Sequence, residues 1–337
     1  MDLSNSCNAW LNLLMKRIAS ISLDLDNQWS YMKTHGDAGW EEFPSYLDIA
    51  VPRILSFLKE RDLKITFFVI GQDAALEKNR EAIASIAAAG HEIANHSYNH
   101  EPWLHLYSRS EIEEEFEKTE AALFEATGQR PTGFRGPGFS LSTTVLEVLA
   151  ERGYDYDCST LPSYTGPFAR AFYFLKSPNM SAAEREKLKK LFGKFSDGFQ
   201  TLKPHFVEAA GRSLVEIPVT TFPLVKTPIH ASYFLYLAGF SRAAAKAYWS
   251  SAVTACSLTG VEPSLLLHPL DFLGGDDVSA LKFFPGMDQT AEAKIEVVSY
   301  AIDRLEAKFD IVNMSEHASR FRQAAEPASK PMRLEQV

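Results

Sequence analysis

The chain has 337 residues, enough for one large α/β domain or two ordinary ones. Its 46% hydrophobic and 23% charged residues are those of a soluble globular protein, which excludes a largely disordered or membrane-embedded chain. A formal charge of −9 with no basic stripe excludes nucleic acid as an expected partner, the only local basic run being 185–190.

Cys7, Cys158 and Cys256 are odd in number and far apart, so neither a disulfide framework nor a CxxC metal motif is expected. A reducing compartment fits this usage. Residues 1–17 lack a long apolar core and a small-residue cleavage site, so they read as an N-terminal arm and not as a signal peptide. Trp10, Leu11, Leu13, Leu14 and Met15 could make a short surface-seeking helix or a packed arm. A cytoplasmic location follows as the expectation.

The first strand spans about 18–25. A polar and aromatic loop with Asn27, Trp29, Tyr31, His35 and Trp40 is expected after it, either packed or contacting substrate, with Trp29 the candidate contact. Pro52 suits the first position of a helix whose apolar face is Ile54, Leu55 and Leu58. A buried strand at 65–70 stops at Gly71, and a helix at 79–89 stops at Gly90. The strand 91–95 leads to His96. Ser108 with Glu111, and Ser110 with Glu113, have capping-box spacing and open a long helix to Gly128. The acid run 113–115 reads as its solvated face. A strand at 132–135 runs into Gly136-Pro137-Gly138, a helix at 143–152 stops at Gly153, and a strand follows at 154–158.

This alternation predicts a parallel α/β fold, either a barrel or an open doubly wound sheet. No GxGxxG follows a strand, which gives dinucleotide binding no support. An insertion at 161–212, with a helix at 181–192, interrupts the rhythm. Strands at 214–220 and 264–268, helices at 241–258 and 291–308, and a strand at 310–313 complete it. Arg242 and Lys246 break the apolar span from 229 to 256, so no transmembrane helix is read there. The expected organisation is an arm at 1–17, one domain at 18–320 carrying the insertion, and a flexible tail at 321–337.

His96 and His100 are four apart, a spacing that puts two imidazoles on one face of a helical turn. Alone, the pair is as compatible with packing as with a metal. In 22–26, Leu23 and Leu25 fall on one strand face and Asp24 and Asp26 on the other. One aspartate and two histidines would hold a metal with a position left open, and the other aspartate would serve as a base. Arg135, Asp157 and His268 also lie at strand ends, and in a parallel barrel such ends meet at one rim.

In order, the motifs are the aspartates of 22–26, His-Ser-x-x-His at 96–100, Arg135-Gly-Pro137-Gly-Phe139, Tyr-Asp-Cys-Ser at 156–159 and Leu266-Leu-His268. This series resembles the polysaccharide deacetylases that share the NodB homology domain (carbohydrate esterase family 4), over roughly 18–160 and 214–315. The resemblance implies a distorted (β/α) barrel of seven or eight parallel strands with a helical insertion. It implies a divalent metal, zinc first and cobalt, nickel or manganese as substitutes, held by Asp26, His96 and His100. It makes Asp24 the base, Arg135 the group that orients it and His268 the acid. Asp157, with Asp155 as rival, would tune that acid, and Leu266 would wall an acyl-methyl pocket. The backbone of Gly138, beside Pro137, is the candidate oxyanion donor. Two features depart from the commoner pattern: Leu25 separates the aspartates, and Leu161-Pro162 stands where a tryptophan is often found. His91, His105 and His230 read as structural or surface residues.

The expected activity is metal-dependent removal of an N-acyl group, acetyl first, from an amino sugar of a glycan or of a lipid- or nucleotide-linked precursor. Alternatives are a deformylase on a lipid-linked amino sugar, an amidohydrolase on a non-sugar ring, and an inactive glycan-binding protein. The insertion with Phe168, Phe172, Tyr173 and Phe174, and the apolar segment 229–240, could form a membrane-facing lip, a lid or a dimer interface. The sequence leaves the oligomeric state open.

Overall fold

A computed structural model describes residues 17–165 and 195–325. In chain order the elements are β1 (Ile18–Leu25), α1 (Gln28–His35), α2 (Leu47–Lys59), β2 (Thr66–Val69), α3 (Gly71–Ala75), α4 (Glu77–Ala88) and β3 (Glu92–Asn95). Then come α5 (Arg109–Thr127), β4 (Gly133–Phe134), α6 (Thr143–Arg152), β5 (Tyr156–Asp157), β6 (His205–Ala209) and β7 (Arg212–Glu216). The chain continues through α7 (Ala231–Phe240), α8 (Arg242–Thr259), β8 (Ser264–Leu267), α9 (Ala291–Glu306), β9 (Asp310–Val312) and α10 (Met314–Ala325). The expected helix 181–192, the basic run 185–190, the aromatic group 168–174, residues 1–16 of the arm and residues 326–337 of the tail lie outside the described residues.

The strands form one sheet in the order β6-β7-β5-β4-β3-β2-β1-β8, with β9 paired to β1. All pairs are parallel except β6 with β7. The sheet curls into a half-barrel, and its two ends approach where Thr220 N donates to Ser264 O at 3.2 Å. No described helix is long and apolar enough to cross a membrane.

Alternation along each strand divides two cores. Leu23, Leu25, Phe67, Val69, Leu265 and Leu267 face outward into the layer shared with the helices. Phe68, Ala94, Tyr156, Cys158, Val215 and Ile217 cluster with Met314 and Ala318 of α10, which closes the bottom of the half-barrel. Ser20 Oγ and His317 Nδ1, 2.8 Å apart, pin that helix to β1, and Met314 N donates to Thr66 Oγ1 at 2.8 Å.

Several expectations need correction. The loop after β1 begins with α1, because Asn27 caps it through its side chain and Gly36 ends it in the left-handed region. Helix α2 starts five residues before Pro52, since Ser45 Oγ accepts from Leu47 N at 3.2 Å and sets the start there. The insertion contributes β6, which returns as a hairpin on β7. The domain runs past 320, because α10 extends to Ala325 with Met314, His317 and Ala318 buried along one face.

Candidate metal and active site

β1 carries the first two site residues. Its register with β8 pairs Leu23 with Leu267, so Asp24 and His268, the next residue on each strand, are neighbours on the inner face. Leu266 lies on the same face, opposite Ser22. The register of β2 with β3 ends at Asn95, which sends His96 inward beside Asp24.

The segment 96–100 is not a helical turn. Ser97 and His100 have positive φ, 59° and 50°, and the segment leaves β3 as an irregular loop. Such conformations persist only where the surroundings hold them. Ser97 N donates to Asn95 Oδ1 at 2.7 Å, and Tyr98 N and Asn99 N donate to Glu115 Oε2 at 2.8 and 2.9 Å. Glu115 is therefore no part of a solvated face: it is buried on α5 and clamps the loop that presents both histidines.

His100 Nε2 lies 3.0 Å and His96 Nε2 3.4 Å from Asp26 Oδ1, and one donor atom from each of the three residues falls within 4.8 Å of the others. His96 Nδ1 lies 2.6 Å from the Arg135 carbonyl, which accepts its proton and leaves Nε2 as the lone-pair atom. Asp26 Oδ1, though within ion-pair distance of both imidazoles, makes no hydrogen bond of good geometry. Burial works to raise the Asp26 carboxyl, but His100 and His96 hold it well below the usual carboxylate range. An anionic oxygen facing two imidazole nitrogens fits a divalent cation better than it fits a packed core.

Asp24 is buried and receives Arg135 Nη1 at 2.6 Å. The same Nη1 donates to Ser22 Oγ at 2.9 Å, Nε donates to the Cys158 carbonyl at 3.1 Å, and the guanidinium lies 4.3 Å over the Phe68 ring. These contacts fix a fully buried cation against one carboxylate. Arg135 opens the turn that carries Pro137 and Gly138. Gly136 admits no side chain there, since a Cβ would lie 2.0 Å from the Ser140 carbonyl. Gly138, at φ 59°, stands exposed at its tip, three residues from Arg135.

Two expected roles fail on geometry. Tyr156 and Cys158 face inward, so Asp157 between them points outward, paired with Glu216 and away from His268. Its carboxylate accepts from Ser159 Oγ at 2.6 Å and Ser159 N at 3.1 Å, and Ser159 Oγ accepts from Gly136 N at 2.8 Å. Asp157 thus braces the turn that carries Arg135. The rival Asp155 has the same outward parity and is exposed. The carboxylate that accepts from the His268 backbone N–H is Asp271. Trp29 is 1% exposed, so it lies under the site and not on a substrate surface. Its Nε1 donates to Asp73 Oδ1 at 3.0 Å, and its ring meets His100 edge-on at 6.5 Å. Asp73 Oδ1 also receives Asn27 Nδ2 at 2.7 Å and Asn79 Nδ2 at 2.9 Å, which ties down the residue after Asp26.

The structure brings two further residues to the site, Tyr31 from the aromatic loop expected after β1 and His230, expected to be structural or surface. Tyr31, from α1, lies in the fields of Asp26, Asp271 and Asp24, and burial together with those charges keeps its phenol protonated. His230, the cap of α7, lies in the fields of His268 and Asp24, and burial holds it neutral, at about 3.

Fold and site define an α/β half-barrel protein with a candidate metal centre at the carboxyl edge of its strands. Residues 37–156 match the model of the family described as polysaccharide deacetylase. The matched stretch contains His96, His100 and Arg135 but neither aspartate of β1 nor His268. The chain is similar to a Helicobacter pylori peptidoglycan deacetylase, at 29% identity over 40% of this chain and 47% of that one. It is also similar to a Bacillus cereus peptidoglycan-N-acetylglucosamine deacetylase, at 34% identity over 31% of this chain and 36% of that one. The chain thus spans less than half the length of either relative. In fold it resembles a Mycobacterium smegmatis protein assigned to the polysaccharide deacetylases, with a TM-score of 0.61, 22% identity and 96% of each chain covered. It also resembles an allantoinase, with a TM-score of 0.53, 17% identity and 91% of each chain covered.

Proposed function

We propose that this protein is a metal-dependent hydrolase that removes an N-acetyl group from an amino sugar. The observation that carries the reading is the placement of Asp24, gripped by Arg135, beside both the Asp26-His96-His100 cluster and His268. A divalent cation held by those three residues would acidify water and polarise the amide carbonyl, with zinc the best match to the donor set. Asp24 accepts the proton of the attacking water, and its ion pair with Arg135 keeps it oriented. Gly138 offers a backbone N–H, in a conformation that lets the chain approach substrate closely, as the donor to the developing oxyanion. His268 donates a proton to the departing amine. Leu266, on the inner face opposite Ser22, contacts the acyl methyl in this reading.

The names of the relatives support an N-acetylglucosamine polymer as the first substrate class to try. The test is mass spectrometry of zinc-loaded protein with N-acetylated glucosamine oligomers, peptidoglycan fragments, and polyprenyl- and nucleotide-linked N-acetyl sugars. Loss of an acetyl mass, abolished by a chelator, supports the reading and shows the carrier. Loss of formyl, hydrolysis of a cyclic amide alone, or binding without turnover in metal-loaded protein overturns it.

A further inference from the structure

His268 is half-buried at the end of β8, and its surroundings contain a hydrogen-bond chain that the family motifs do not mark. Asp271, 1% exposed, accepts from His268 N through Oδ2 at 2.7 Å and from Ser232 Oγ through Oδ1 at 2.8 Å. Ser232 Oγ in turn lies 3.2 Å from His268 Nδ1. A serine hydroxyl has one hydrogen. Here it goes to the carboxylate, so the serine oxygen accepts the Nδ1 proton of His268.

We propose that Asp271, acting through Ser232, is the positioning residue that sets the ring orientation and tautomer of His268. This rests on the deacetylase reading, in which His268 protonates the leaving amine. With Nδ1–H committed to Ser232, Nε2 is the nitrogen left to carry the transferable proton. The bond from His268 N to Asp271 fixes the same carboxylate to the backbone of the residue it serves. Because both ends lie on one turn, the carboxylate cannot shift without moving the histidine. The turn is itself held from below: Lys294 Nζ donates to the carbonyls of Leu270 and Leu273, each at 2.9 Å, on either side of Asp271.

The charged and titratable groups facing this chain come from four elements. Lys294 of α9 attracts Asp271. Tyr31 of α1 and Tyr46, which precedes α2, lie in the field of Asp271, and His230 at the start of α7 lies in that of His268. Burial acts to raise the Asp271 carboxyl, and His268, its backbone N–H, Ser232 and Lys294 act against this. Asp157, which points out of the half-barrel, takes no part.

The experiment compares two substrates in Ser232→Ala, Asp271→Asn, Ser232→Thr and Asp157→Asn. An amide of an amino sugar needs its leaving group protonated, whereas 4-nitrophenyl acetate does not. Ser232→Ala and Asp271→Asn are expected to lower kcat on the amide about 100-fold, with KM and ester hydrolysis changed less than about threefold. The double variant is expected to be no slower than the slower single one, and Ser232→Thr is expected to restore most of the rate. A second readout needs no turnover. In protein labelled with ¹⁵N-histidine, the Nδ1 proton of His268 is expected to be protected from exchange in the unaltered protein and in Asp157→Asn, and lost in Ser232→Ala. Equal loss on amide and ester, or an Nδ1 proton unchanged in Ser232→Ala, overturns the proposal. Failure of the unaltered protein to hydrolyse any amide strikes the deacetylase reading alone, because the Nδ1 signal still decides the hydrogen-bond chain.

Discussion

Arg135 and Asp24, 111 positions apart in sequence, meet at 2.6 Å, with the guanidinium fully buried and the carboxylate nearly so. The carbonyl of the same arginine receives His96 Nδ1 at 2.6 Å. One residue therefore orients the proposed base with its side chain and a metal ligand with its backbone.

Replacing Arg135 with Met leaves Asp24 buried without a counter-charge. Breaking such a pair costs about 3–5 kcal/mol, or roughly 10 °C in Tm for a domain of this size. Thermal unfolding of metal-free Arg135→Met is expected to show that loss, and Arg135→Met with Asp24→Asn to recover part of it. A Tm within about 2 °C of the unaltered protein would show that the pair carries no such energy.

Trp29→Phe keeps the ring contact with His100 but removes the donor to Asp73. Groups that orient ligands from behind typically change metal affinity about 10- to 100-fold. Competition titration is expected to show zinc bound about 10-fold more weakly, with kcat at saturating zinc changed only a fewfold. Unchanged affinity would make Trp29 a packing residue only.

How much could be read in advance follows from range. The Asp24/Asp26 pair depends on a period of two within eight residues, and the strand–helix alternation on local apolar patterns, so both were legible. Asp157 was misassigned because a two-residue strand states no parity by itself. Only Tyr156 and Cys158 in the inner core reveal that Asp157 faces outward. Asp271 and Ser232 meet across 39 positions, and no local pattern marks that contact. Helix α10 was hidden by its polar composition, although its buried residues Met314, His317 and Ala318 do recur at helical spacing.

Burial raises Asp73 from its ordinary 3.8 to about 7, against the bonds from Asn27 and Trp29. Between those values the folded state holds the proton that the unfolded state has released. Stability of the metal-free protein from this group therefore falls as pH rises from about 4 to about 7, by up to roughly 4 kcal/mol. Denaturant unfolding across that range, compared with Asp73→Asn, is expected to show the slope only with the aspartate.

His317 acts with the opposite sign. Burial lowers it from 6.5 to about 4, so the unfolded state binds the proton first. Its contribution is complete above about 6.5 and is lost as pH falls to about 4, by up to roughly 3 kcal/mol. His317→Asn, which keeps a partner for Ser20, is expected to be less sensitive to acid than the unaltered protein. An identical acid limb in the two would contradict the assignment.

The central claim is that Asp24 performs the chemistry while Asp26, His96 and His100 hold the metal. The most direct test measures acetate released from an N-acetylglucosamine oligomer and zinc bound per chain, side by side, in the unaltered protein and in Asp24→Asn. The account predicts one zinc in both, with acetate release lowered at least about 100-fold in the variant. Loss of zinc together with activity in Asp24→Asn, or no acetate from the zinc-loaded unaltered protein, would contradict it.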